Sequence, residues 1–99
     1  MVIISMSSYP TESAVEVGKR FLELPALPDY ITMKGPYLTA SIQEGIKALT
    51  IYEFDESRYS AAYGFLGDRA ARLFGISGYT YSMSHWMEAR EALKLIGLG

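Results

Sequence analysis

The hydrophobic period of this chain switches from two to about 3.6 and back again, twice, and that succession restricts the fold more than any single residue. Val2–Tyr9 alternates as a strand does, with Val2, Ile4 and Met6 on one side and Ile3, Ser5, Ser7 and Tyr9 on the other. Pro10-Thr11 stops it. Thr11 suits a helix N-cap and Glu12 suits a first turn, where the helix dipole favours an acid. The period then lengthens. Ala14, Val17, Phe21 and Leu24 share one face of a helix expected over Glu12–Leu24, with Val15 and Leu22 widening the stripe. Glu16 and Arg20 form an i, i+4 pair on the outside, and Pro25 and Pro28 end the helix.

The alternation returns over Tyr30–Ser41, interrupted by Gly35-Pro36. A proline cannot donate to a central ladder, so this strand belongs at a sheet edge, kinked or bulged there. Gln43-Glu44-Gly45 turns the chain into Ile46–Phe54, which completes a hairpin. Asp55 or Ser57 opens a second helix running to about Phe74, with Tyr59, Ala62, Leu66, Ala70 and Leu73 as its inner stripe and Gly75 as its stop. Arg58, Arg69 and Arg72 read as part of its solvated face, with Asp68 and Arg72 paired. A last strand, Tyr79–Trp86, precedes a short helix over Met87–Ile96.

The result is one domain, residues 1–99, of the α+β class. Right-handed crossovers put both long helices of a βαββαβ chain on one face of a four-stranded antiparallel sheet. This is the ferredoxin-like arrangement, with strand order 4-1-3-2 and the Pro36 strand at an edge. The other face should then read as polar, and it does not. Ile46–Phe54 sets Ala48, Thr50 and Tyr52 on one side and Leu49 and Ile51 on the other, and the first strand carries apolar residues on both. Helices cover one face only, so a second copy is expected on the other: a homodimer joined through the sheet.

A compact βαββαβ chain with two apolar sheet faces resembles the dimeric α+β barrel superfamily. The segments that carry the resemblance are Gly35-Pro36-Tyr37 and Ile76-Ser77-Gly78-Tyr79-Thr80-Tyr81, the second similar to a Pro-Gly-Tyr lead-in to the last strand, with Ser77 where proline is common. The superfamily contains cofactor-free monooxygenases, lactone isomerases, haem-handling proteins and amino-acid-sensing domains. The resemblance implies a dimer and fixes no activity.

Other features exclude more than they select. With no cysteine, disulfides, thiolate metal sites and thiol nucleophiles are absent, and a single histidine makes a metal site poor, so no metal or cofactor is expected. A net charge of −2 with no basic stripe argues against nucleic acid. Met1-Val2-Ile3-Ile4 is too short for a signal peptide or a membrane span, so a cytoplasmic protein with no membrane partner is the expectation.

The eight tyrosines suggest a semi-polar cleft between sheet and helices. Tyr37, Tyr52, Tyr63, Tyr81, Ser82 and His85 are the ligand-binding candidates, with Tyr30, Tyr59 and Tyr79 able to join them, and His85 is the one catalytic candidate. Ser5, Ser7, Ser82 and Ser84, on adjacent strands, form either a polar floor or a set of small residues for close sheet packing. Three functions follow: binding an unidentified small molecule in the sheet–helix cleft, a cofactor-independent monooxygenase or isomerase using His85, and a metabolite-sensing regulatory domain.

Overall fold

The computed structural model describes all 99 residues. Strands β1 (Val2–Tyr9), β2 (Thr32–Ser41), β3 (Gly45–Glu53) and β4 (Thr80–Trp86) form one antiparallel sheet in the order β2-β3-β1-β4, which from the opposite edge reads 4-1-3-2. Helices α1 (Ala14–Leu22) and α2 (Tyr59–Ala71) pack on one face, and α3 (Ala89–Leu95) follows the last strand.

The helices are shorter than their periodicity suggests. A 3₁₀ turn, Thr11–Ser13, precedes α1, and Thr11 makes no side-chain cap. Ser13 is buried instead, its hydroxyl donating to the Ser77 carbonyl at 2.6 Å and tying the start of α1 to the approach to β4. Helix α1 ends at Leu22, and Val15 and Leu22 face solvent rather than widening the buried stripe. Asp55 is the residue that opens the second helical segment. Its carboxylate accepts from the Ser57 backbone N–H at 2.9 Å and from the Ser57 hydroxyl at 2.8 Å, ahead of a 3₁₀ turn that leads into α2. Helix α2 stops at Ala71, where Arg72–Gly75 turns, and Gly75 takes a φ of 87°. The expected Glu16–Arg20 pair forms at 3.0 Å, and Arg20 also donates to the Phe74 carbonyl at 2.8 Å, joining α1 to the turn after α2. Asp68 and Arg72 form no ion pair.

The kink in β2 is a bulge between Lys34 and Tyr37. Gly35 has φ 96°, and a Cβ there would lie 3.0 Å from the Leu49 carbonyl oxygen, so both the backbone conformation and the space demand glycine. The bulge also changes which way the strand faces. Met33 opposes Tyr52 before it, and Tyr37 opposes Leu49 after it. These partners lie on opposite sides of β3.

Two core clusters hold the helices to the sheet. Ile3, Ile31, Tyr52, Phe54, Ala62 and Leu66 form one, and Tyr9, Val17, Leu73 and Ile76 the other. Ile3 is the one large side chain with no exposure, and burying a residue of this size contributes about 1.5–3 kcal/mol. Only 13 of 99 residues are buried, and the radius of gyration is 15.2 Å against about 13 Å for a compact chain of this length, so the lone chain leaves much apolar surface uncovered.

Candidate binding cleft

A cavity of about 230 Å³ lies between the two core clusters. Its position follows from residue size along β1. Ile3 and Tyr9, at the ends, reach the helices, while Ser5 and Ser7 between them do not. On β3, Ser5 opposes Thr50 and Ser7 opposes Ala48, so the middle of the sheet is small on both neighbouring strands. The helices add small residues above the same spot, Gly18 from α1 and Ala70 from α2. Helices supported at both ends and unsupported in the middle leave a void.

The cavity is apolar on its helix side, where Val17, Phe21, Leu24, Leu66 and Leu73 line it, and hydroxylated on its floor. Ser5, Ser7 and Thr50 supply that floor, with Tyr52 and Tyr79 at its margin. No buried side-chain nitrogen or oxygen is sealed off without a partner. The floor hydroxyls therefore open onto the cavity rather than sitting in packed core. Burial pushes the Tyr79 phenol above its ordinary value, and the Tyr9 phenol beside it moves the same way for the same reason.

Of the residues singled out from the sequence, the cavity gathers few. Tyr52 lines it. Tyr37 lies on the opposite face, turned there by the bulge, and is 60% exposed. Tyr63 stands next to Ala62 on the outward side of α2, tilted against Tyr59. Tyr81 has the right parity but lies on the edge strand, against Phe74 at 5.4 Å between ring centres. Ser82 and Ser84 oppose Met6 and Ile4, which puts them on the uncovered face, away from Ser5 and Ser7. The four serines thus form no common floor. His85 is exposed near the end of edge strand β4, its ring meeting Tyr59 edge-on at 4.8 Å, with no hydrogen bond to a hydroxyl. Tyr30 lies beneath Arg58, whose guanidinium carbon is 4.9 Å from the ring centre.

Arg69 too departs from its expected place. It is not on the solvated face of α2 but 9% exposed, and it lines the cavity. Its Nη1 donates to the Pro25 carbonyl at 2.6 Å, and its guanidinium lies 5.9 Å from the Phe21 ring centre. The spacing held the signal. Arg69 follows Leu66 by three residues and precedes Leu73 by four, which is the middle of the apolar stripe.

The opposite face has no helix over it. Ile4, Met6, Leu49 and Ile51 occupy its centre, with Tyr37 and Trp86 exposed towards its two edges. Its charges sit near the strand ends and are paired: Lys34 with Glu53 at 2.9 Å, and Lys47 with Glu44. No helix is long and apolar enough to cross a membrane, and no group of acidic, histidine or cysteine side chains is placed to hold a metal ion.

No family model matches the chain, and no curated protein does. Among solved structures it is similar to a de novo designed protein, Foldit4, at 14% identity and a TM-score of 0.46 over 87% of this chain and 96% of that one. That is a coarse likeness.

Proposed function

We propose that this chain is a ferredoxin-like domain of the dimeric α+β barrel kind, and that it binds a small molecule in the cleft between α1, α2 and the sheet. The observation that carries the reading is the cavity itself. Its apolar walls and hydroxyl floor have the composition of a ligand site, a mostly hydrophobic lining with a few convergent polar groups. Its volume is below the roughly 300–1,000 Å³ of drug-sized sites, so the ligand is small.

Two copies join through the uncovered face. An apolar centre of Ile4, Met6, Leu49 and Ile51 with paired charges at its ends has the layout of an interface, and a sheet face packs well on its own copy. The low burial and elongated shape of the single chain favour the same assembly. Catalysis by His85 draws no support from its exposed position on the edge strand. A regulatory role has one favourable feature. Residues 4 to 7 of β1 and 48 to 51 of β3 alternate between the cleft and the uncovered face, so a ligand pressing on the floor pushes on the backbone of the dimer surface.

A thermal-shift screen of small molecules against the native chain and an Ala48→Leu variant tests the binding. A ligand at a hundred times its Kd stabilises by about 2.7 kcal/mol, which is a readable shift. Ala48→Leu fills the void and should abolish the shift while leaving the fold intact. A shift of equal size in both proteins, or none across the screen, contradicts the reading.

A further inference from the structure

We infer that the ligand of this cleft carries a single carboxylate on a compact apolar body, and that Arg69 binds the carboxylate. The inference rests on the cleft being a ligand site and adds the chemistry of the ligand. Arg69 is nine-tenths buried, and none of the chain's carboxylates lies within ion-pairing distance of it. A buried cation without a counter-charge is costly, and such groups are ordinarily paired. Of the five guanidinium N–H groups, one is satisfied by Pro25, and no other protein acceptor takes the rest. No Arg69 nitrogen is sealed off without a partner, so the donors that Pro25 leaves free keep access to open space, and Arg69 lines the cavity.

The surroundings select the rest of the molecule. Val17, Phe21, Leu24, Leu66 and Leu73 offer nothing but apolar contact, so the body of the ligand is hydrocarbon. The limited volume suits one ring or one short branched chain. The floor hydroxyls can donate to a second carboxylate oxygen or accept from a substituent. A free acid fits better than a phosphate ester, because one arginine with neutral hydroxyls matches one negative charge and a forked carboxylate.

Paired probes decide it: phenylacetate against phenylacetamide, and isovalerate against isovaleramide, titrated by NMR into the isotope-labelled full chain. Each acid should bind at least about tenfold more tightly than its amide, equivalent to ~1.4 kcal/mol. The shifts should centre on Thr50, Leu66 and Arg69. Arg69→Met should reduce the ratio to about one, and Arg69→Lys should retain part of it; the acid-to-amide ratio in the native chain needs no variant to fold. Equal binding of acid and amide in the cleft overturns the carboxylate while leaving the cleft a ligand site. Binding of neither at millimolar concentration overturns both.

Discussion

The two faces of the sheet are built from the same strands, one residue apart, and they fail to be finished in opposite ways. On the helix-covered face, Ile3, Tyr9, Tyr52 and Phe54 are packed at the ends, and Ser5, Ser7, Ala48 and Thr50 leave the middle under-filled. On the other face the middle is the apolar part, Ile4, Met6, Leu49 and Ile51, and nothing in the chain covers it. In the proposed function, the void with hydroxyls on its floor takes a small molecule and the apolar surface with charges at its margins takes a second copy. Period-two alternation lets one strand answer both needs independently.

The largest effect should come from charging the uncovered face. Leu49→Lys with Ile51→Lys places unpaired charges at the centre of the proposed interface and should weaken self-association by about a thousandfold or more, ~4 kcal/mol. Sedimentation velocity reads this, and an unchanged circular dichroism spectrum shows that the chain still folds. If association is untouched, the face does not serve as the interface.

The next test compares neighbours of opposite parity. Ile3→Ala on the covered face should lower unfolding free energy by about 2–5 kcal/mol, as large-to-small core changes do. Ile4→Ala should cost less than ~1 kcal/mol in the charged, monomeric background, where that side chain meets only solvent and its own sheet. Urea denaturation of both variants in that background measures the difference, and equal losses would mean the faces are not distinct.

The smallest expected effect concerns the cap before α2. The Ser57 backbone N–H, then the Ser57 hydroxyl, hold the Asp55 carboxyl below its ordinary 3.8. Its folded pKa is depressed, so its stabilisation is present above the unfolded value and is lost as pH falls through the folded one. Comparing Tm on either side of 3.8 should show a slightly larger acid loss in the native chain than in Asp55→Asn. The loosening should appear in the first turn of α2, on the covered side, and leave the uncovered face unchanged.

The element order and class were legible because each depends on local pattern: alternation, helical spacing, and breakers such as Pro10, Pro25 and Gly75. So was the apolar character of both faces, read from Leu49 and Ile51 beside Thr50 and Tyr52. The site was much less legible. Counting parity from Met33 puts Tyr37 in the cleft, but the bulge at Gly35-Pro36 adds a residue and turns Tyr37 to the other side. Ser82 and Ser84 fell on the wrong face because register pairs Ser5 with Met83 and Ser7 with Tyr81, and neither pairing is written in local sequence. Arg69 was assigned to solvent by residue type although its spacing from Leu66 and Leu73 marked the interior. The clearest unread signal was the run of sizes at Ile3, Ser5, Ser7 and Tyr9, large-small-small-large on one face, which describes a cavity before any helix is placed over it.

The two faces are proposed to have different occupants, a small molecule on one and a second copy on the other. Methyl NMR with a soluble paramagnetic agent, recorded with and without phenylacetate, tests both halves at once. The methyl groups of Ile4, Leu49 and Ile51 should stay protected throughout, while those of Val17, Leu66 and Leu73 should shift on adding the acid. Strong bleaching of Ile4, Leu49 and Ile51, or ligand shifts confined to them, would contradict it.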